Sequence, residues 1–238
     1  MIQSIFSILI YLNALIVIIL IGPLFVIFSF ILPKYWMYRS SKLVCILVLK
    51  SLWVKVRVNG SPPETGNYIY MFNHGSFIDP FIFAYVMNKP CTALIAKENY
   101  KYPIWKSMLR RWEAIPIDRS NKEAAINSVK EAEEFLNKGM NVIILPEGTR
   151  TITGRLSRFK KGGFHMAYNT KMSIVPIGCI GAYEFKPKTR WTVSPRTITV
   201  NFGSPINPDI YEELGVEGLL KKTEEEIKRL TDGKFEDE

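Results

Sequence analysis

The chain has 238 residues, 47% of them hydrophobic, and 31 Lys and Arg against 22 Asp and Glu give a formal net charge of +9. Cys45, Cys91 and Cys179 form no CxxC pair, and His74 and His165 are the only histidines, so neither a disulfide framework nor a zinc site is expected. The basic residues accompany a long apolar segment and no helix-turn-helix, zinc or RNP-like pattern, which argues against nucleic acid as the partner.

No charged residue occurs from Ile2 to Pro33. As a helix rising about 1.5 Å per residue this stretch reaches about 48 Å, against roughly 30 Å of bilayer hydrocarbon. Gly22-Pro23 is expected to interrupt it, since proline breaks the hydrogen-bond ladder. A secretory signal fits poorly, because no basic region precedes the run and no small-residue cleavage site follows it. Next come Lys34, Arg39, Lys42, Lys50, Lys55 and Arg57, interleaved with Tyr35, Trp36, Tyr38 and Trp53, and no acid before Glu64. A basic, aromatic-flanked amphipathic helix suits the membrane interface, and the basic cluster marks a cytoplasmic end. Residues 1–60 therefore read as a two-helix membrane anchor that either crosses the bilayer once or forms a re-entrant or surface-lying hairpin.

Gly60-Ser61-Pro62-Pro63 is the natural boundary, and residues 61–238 suffice for one α/β domain. Strands are expected at 54–58, 68–72, 92–96, 114–117, 142–145, 174–180 and 197–202, most of them apolar enough for burial on both faces. A helix is expected over 121–138, capped by Ser120 and ended by Gly139, with Ala125, Val129, Ala132 and Leu136 on its inner face. The fold class is thus α/β: a mixed, largely parallel central sheet flanked by helices, behind an N-terminal two-helix anchor. Charge divides sharply. Residues up to Pro208 carry 26 basic and 11 acidic side chains, whereas those from Asp209 on carry 5 and 11, as one or two acidic helices.

Asn73-His74-Gly75-Ser76-Phe77-Ile78-Asp79-Pro80 falls in a strand-to-helix turn, where proline suits the first helical turn. On a continuous helix His74 and Asp79 would diverge by about 140°. In a turn they approach, and a carboxylate that takes one imidazole N–H leaves the other nitrogen to accept a proton. Asp79 as a helix cap and His74 as a satisfied structural histidine are the plain alternatives. Leu145-Pro146-Glu147-Gly148-Thr149-Arg150 ends another strand with an acid, a flexible glycine and an arginine able to hold a phosphate through two hydrogen bonds. Asp118-Arg119 and Lys97 stand at further strand ends, and Lys160-Lys161-Gly162-Gly163 adds cations before a helix, where anions bind.

These blocks resemble the 1-acyl-glycerol-3-phosphate acyltransferase family, bacterial type, over residues 50–205. Asn73, His74, Ser76 and Asp79 are similar to its first motif, with the H-x4-D spacing intact. Ile117-Asp118-Arg119, with Lys97 and Glu98 upstream, resembles the second. Pro146-Glu147-Gly148-Thr149-Arg150 resembles the third and Val175-Pro176-Ile177 the fourth. Pro116, Leu145 and Thr151 depart from residues frequent in the family.

The resemblance implies direct transfer of an acyl group from a coenzyme A or acyl-carrier-protein thioester to the sn-2 hydroxyl of lysophosphatidic acid, at the cytoplasmic face of the cell membrane. No metal, cofactor or acyl-enzyme is implied. His74 and Asp79 would be catalytic. Glu147, Gly148, Thr149, Arg150 and Arg119, with Lys97 and Lys160, would bind the acceptor. It also favours a surface-lying anchor. Rival readings are another lysophospholipid or glycerol 3-phosphate as acceptor, a Ser76 hydrolase lacking the G-x-S-x-G elbow, and a non-enzymatic binder of anionic lipid.

Overall fold

A computed structural model describes residues 2–232. The chain opens with an antiparallel pair of helices, α1 (Ile2–Ile31) and α2 (Lys34–Ser51). It continues through β1 (Lys55–Asn59), β2 (Ile69–Phe72), α3 (Asp79–Val86), β3 (Cys91–Ala96), a 3-10 turn at Lys97–Lys101 and α4 (Pro103–Arg111). Then come β4 (Ile115–Ile117), α5 (Lys122–Asn137), β5 (Asn141–Ile144), α6 (Gly162–Thr170), β6 (Ile174–Ile180), the single turn α7 (Ala182–Phe185), β7 (Thr197–Phe202) and α8 (Pro208–Leu230), kinked at Gly215.

The strands form one sheet in the order β1-β7-β6-β2-β5-β3-β4. All pairs are parallel except β6 with β7, which run antiparallel from Ile177 opposite Phe202 to Ile180 opposite Thr199. β1 lies inside the 1–60 segment assigned to the anchor, yet it pairs with β7 as an edge strand of the sheet. Alternation along β2 supplies both cores. Tyr70 and Phe72 pack with α2 and α3 through Val48, Leu49, Ile78, Ile82 and Phe83. Ile69 and Met71 pack with α5, α6 and α8 through Ala132, Leu136, Phe164 and Ile227. A strand buried on both faces has no polar side to display, hence its unbroken apolar run.

Two local expectations change. α1 continues through Pro23 as one helix. A missing N–H removes one hydrogen bond, and contacts on both flanks hold the remaining turns: Phe25 packs on Trp112, and Asn13 donates to the Ser51 carbonyl at 2.8 Å. The cap of α5 is Asn121, whose side chain accepts the Ala124 N–H at 3.0 Å. Ser120 instead donates to Asp118. Gly139 follows the helix at φ +84°, a conformation that glycine adopts without Cβ strain.

α1 is long and apolar enough to cross a membrane by length and composition. It is fastened to the body at both ends. Gln3 and Ser7 bond Ser194 and Val193, and the Tyr11 hydroxyl donates to the Trp191 carbonyl at 2.7 Å. At the other end the Arg111 guanidinium donates to the carbonyls of Ser29 and Leu32. Gln3, Ser7, Tyr11, Asn13 and Ser29 thus bond protein or their own turn, while Leu12, Ile16, Ile19, Leu20, Ile27 and Phe28 lie exposed.

Candidate active site

β2, β5, β3 and β4 are parallel neighbours, so their C-terminal ends share one edge of the sheet. His74 follows β2, Glu147 follows β5, Lys97 follows β3 and Arg119 follows β4. With neighbouring strands about 4.8 Å apart, β3 and β4 stand about 10 and 14 Å along this edge from β2. Asn73 fastens the opposite side of β2. Its amide donates to the Cys179 carbonyl at 2.9 Å and accepts the Cys179 N–H at 2.7 Å, tying the end of β2 to β6.

The turn after β2 brings His74 Nδ1 to 2.7 Å from Asp79 Oδ2. The same oxygen accepts the backbone N–H groups of Gly75 and Ser76, each at 3.0 Å. Asp79, at the start of α3 and fully buried, therefore both closes the turn and holds the imidazole. With Nδ1–H donating to the carboxylate, Nε2 carries the lone pair. Nε2 has no hydrogen-bond partner among the described residues, and the side chain is 15% exposed. A Cβ on Gly75 would lie 3.0 Å from the Tyr183 backbone nitrogen, so glycine permits the loop after β6 to close over the turn.

Glu147 joins the two blocks. Its Oε1 accepts the His74 N–H at 2.6 Å and its Oε2 the Ser157 N–H at 2.9 Å. The Thr151 N–H donates to the His74 carbonyl at 3.0 Å, which completes the strap. Burial pushes the Glu147 carboxyl up to about 7, against the pull of those two N–H groups. Both oxygens are engaged by backbone, so Glu147 is a strut under the histidine. Gly148 turns at φ +73°, and a Cβ there would meet the Lys160 stem at 3.6 Å. Thr149 and Lys160 are exposed.

Arg150 is half-buried and has no hydrogen bond or ion pair among the described residues. Its charge acts on Lys186, whose ammonium donates to the Pro187 carbonyl at 3.0 Å and is held below its usual pKa by desolvation first and then by the charges of Arg150 and Arg190. Sequence reasoning missed Lys186 as a site residue. Its available signal was the acid-free run Lys186, Lys188, Arg190. Ser76 brings it in, since Ser76 Oγ donates to the Lys186 carbonyl at 2.9 Å. Lys97, by contrast, is ion-paired with Asp118, and that ammonium, with Ser120, holds the Asp118 carboxyl down to about 2. Arg119 is exposed at the flank. Lys161, beside Lys160, pairs with Glu217 of α8. Among the described residues no three His, Cys, Asp or Glu side chains converge as a metal site.

The turn after β2 thus holds an imidazole on a buried carboxylate, with Nε2 left open. A family model described as acyltransferase matches residues 54–180. A 1-acyl-sn-glycerol-3-phosphate acyltransferase of Cocos nucifera is 37% identical over 166 residues, which cover 68% of this chain and 54% of that protein. One from Pseudomonas aeruginosa is 32% identical over 122 residues, covering 51% of this chain and 47% of that protein. The chain spans between half and three-fifths of the length of the first curated relatives that it matches. The crystal structure of the 1-acyl-sn-glycerophosphate acyltransferase PlsC from Thermotoga maritima superposes with a TM-score of 0.82 at 25% identity, over 95% of each chain. With more than half of its length matched by the family model, this chain belongs to the acyltransferase family.

Proposed function

We propose that this protein transfers a fatty acyl group from a thioester of coenzyme A or acyl-carrier protein to the sn-2 hydroxyl of 1-acyl-glycerol 3-phosphate, yielding phosphatidic acid. The observation that carries the reading is the 2.7 Å contact of His74 Nδ1 with Asp79, which leaves Nε2 free to accept a proton. Nε2 removes the hydroxyl proton, and the oxygen attacks the thioester carbonyl carbon. The C–S bond breaks, and the imidazolium returns its proton to the departing thiolate. Asp79 stabilises the transient imidazolium. Arg150 and Lys186 hold the acceptor's phosphate, where a dianion relieves the repulsion between them. Thr149, Gly148 and Lys160 line the same turn. Lys97 and Arg119 extend the cationic edge outward.

The hydrolase alternative needs Ser76 Oγ to face His74. Its hydroxyl donates to the Lys186 carbonyl instead, and the residue is fully buried.

We infer further that α1 lies in one leaflet of the membrane. At 1.5 Å per residue it is about 45 Å long, and both ends bond one body, from Gln3 to Arg111's grip on Leu32. A helix held flat on the domain presents its exposed apolar face sideways to lipid. Lys34, Arg39 and Lys42 then sit at the cytoplasmic headgroups.

The test is an assay of the purified chain with vesicle-borne lysophosphatidic acid and a panel of acyl thioesters. Phosphatidic acid forming with stoichiometric thiol release supports the proposal. Release of free fatty acid instead, or no turnover with any thioester, refutes it.

A further inference from the structure

We propose that the segment Lys97–Trp112, comprising the 3-10 turn and α4, is a second membrane-contacting element that seats on an anionic phospholipid surface beside α1. This rests on the reading of α1 as the lipid-embedded helix. α4 buries Met108 and Leu109 against the body. Its opening turn turns outward. Tyr102 is 69% exposed, Ile104 66% and Trp105 41%, consecutive large apolar groups but for Pro103. Such a cluster on a soluble face is costly, whereas at a bilayer interface aromatic and aliphatic side chains of this kind are stabilised. The charges fit one partner. Apart from Lys97, paired with Asp118, and Arg111, bonded to α1, Lys97–Trp112 carries Lys101, Lys106 and Arg110 against a single acid, Glu98. Lys101 and Arg110 are exposed beside the apolar turn. That combination matches anionic headgroups over acyl chains.

Continuity with α1 decides where the element points. The rings of Trp105 and Trp112 meet edge-on at 6.3 Å, and Trp112 packs against Phe25 of α1 at 5.8 Å. Arg111 fixes the end of α4 to α1 through Ser29 and Leu32, at 3.2 and 2.8 Å. Lys34 and Glu113 close the junction with an ion pair. Trp112 thus links Trp105 to the end of α1 where Phe28 and Ile31 are 49% and 70% exposed. The segment starts at Lys97, on the same sheet edge as His74. Seating it at the headgroups brings that edge to the depth of a lysophospholipid's glycerol backbone.

The test uses full-length protein and phosphatidylcholine vesicles with and without phosphatidylglycerol. The tryptophan emission that separates wild type from Trp105→Phe should be quenched by lipids brominated high on the acyl chain. The double variant Ile104→Glu/Trp105→Glu should partition into the anionic vesicles at least about tenfold more weakly, while keeping wild-type circular dichroism and activity on detergent-dispersed substrate. Protein that binds vesicles with Trp105 unquenched, or with partition indifferent to the two glutamates, overturns the proposal. A wild type that fails to bind at all removes the α1 reading and this one with it. Both readouts measure binding and stand whatever the acyl-transfer assay gives.

Discussion

Glu147→Gln separates a strut from a substrate ligand. The substitution preserves shape and, in an assay above about pH 7, removes charge. In the native turn each carboxylate oxygen accepts one backbone N–H, from His74 at 2.6 Å and from Ser157 at 2.9 Å. An amide keeps one acceptor, and its NH2 end meets an N–H, so one bond is lost and two donors face each other. A hydrogen bond to a charged group contributes about 1.5–3 kcal/mol. Transmitted fully to the placement of His74, its loss lowers kcat about 10- to 150-fold. KM for the acceptor should change little, because the side chain is 2% exposed and bonds only backbone. Steady-state kinetics over acceptor concentration read both constants. An intact kcat with a raised KM would show Glu147 touching the acceptor and refute the strut.

The same side chain sets a pH dependence. Burial raises its pKa from 4.5 to about 7. Between those values the folded protein retains a proton that the unfolded chain has released, so the carboxyl's contribution to stability is full below about 4.5 and is lost as pH rises through about 7, an effect of about 3 kcal/mol. Glutamine does not titrate. Urea unfolding should therefore show wild type losing ground to Glu147→Gln as pH rises across this window, and a constant difference would contradict the assignment.

Three further outcomes follow from the same geometry. Asn73→Ala removes two buried hydrogen bonds to Cys179 and should lower unfolding free energy by about 2–3 kcal/mol in urea titration; a loss under about 0.5 kcal/mol would mean that β2 and β6 do not depend on this tie. Arg150→Ala should raise KM for the phosphate-bearing acceptor about 10- to 100-fold with kcat largely retained, and Lys186→Gln should do so more weakly; a fall in kcat alone would contradict acceptor binding. Ser76→Ala should keep most of its acyl transfer while losing about 1 kcal/mol of stability; abolished turnover in a folded variant would restore the nucleophile reading.

The seven strands were legible because burial on both faces leaves short unbroken apolar runs, such as Ile69–Phe72 and Ile174–Ile180, bounded by polar or glycine-bearing turns. The His74–Asp79 pair was legible from a spacing that only a turn reconciles. Strand order was not, because pairing such as β1 with β7 joins residues more than 140 positions apart and leaves no local periodicity. Glu147 was read as facing substrate, since nothing local reveals that its oxygens meet N–H groups 73 residues upstream and 10 downstream. Lys186 was hidden among exposed lysines until the close approach at Gly75 brought its loop over the turn. Pro23 misled because α1 draws support from side-chain contacts to the body as well as from its own hydrogen bonds.

The base assignment is tested most directly with purified His74→Ala on vesicles carrying lysophosphatidic acid and an acyl thioester. The variant should fold and bind vesicles as wild type does, yet form phosphatidic acid at least about 10³-fold more slowly at saturating substrates. Turnover within about tenfold of wild type would remove the imidazole from the chemistry and, with it, the reading of this site.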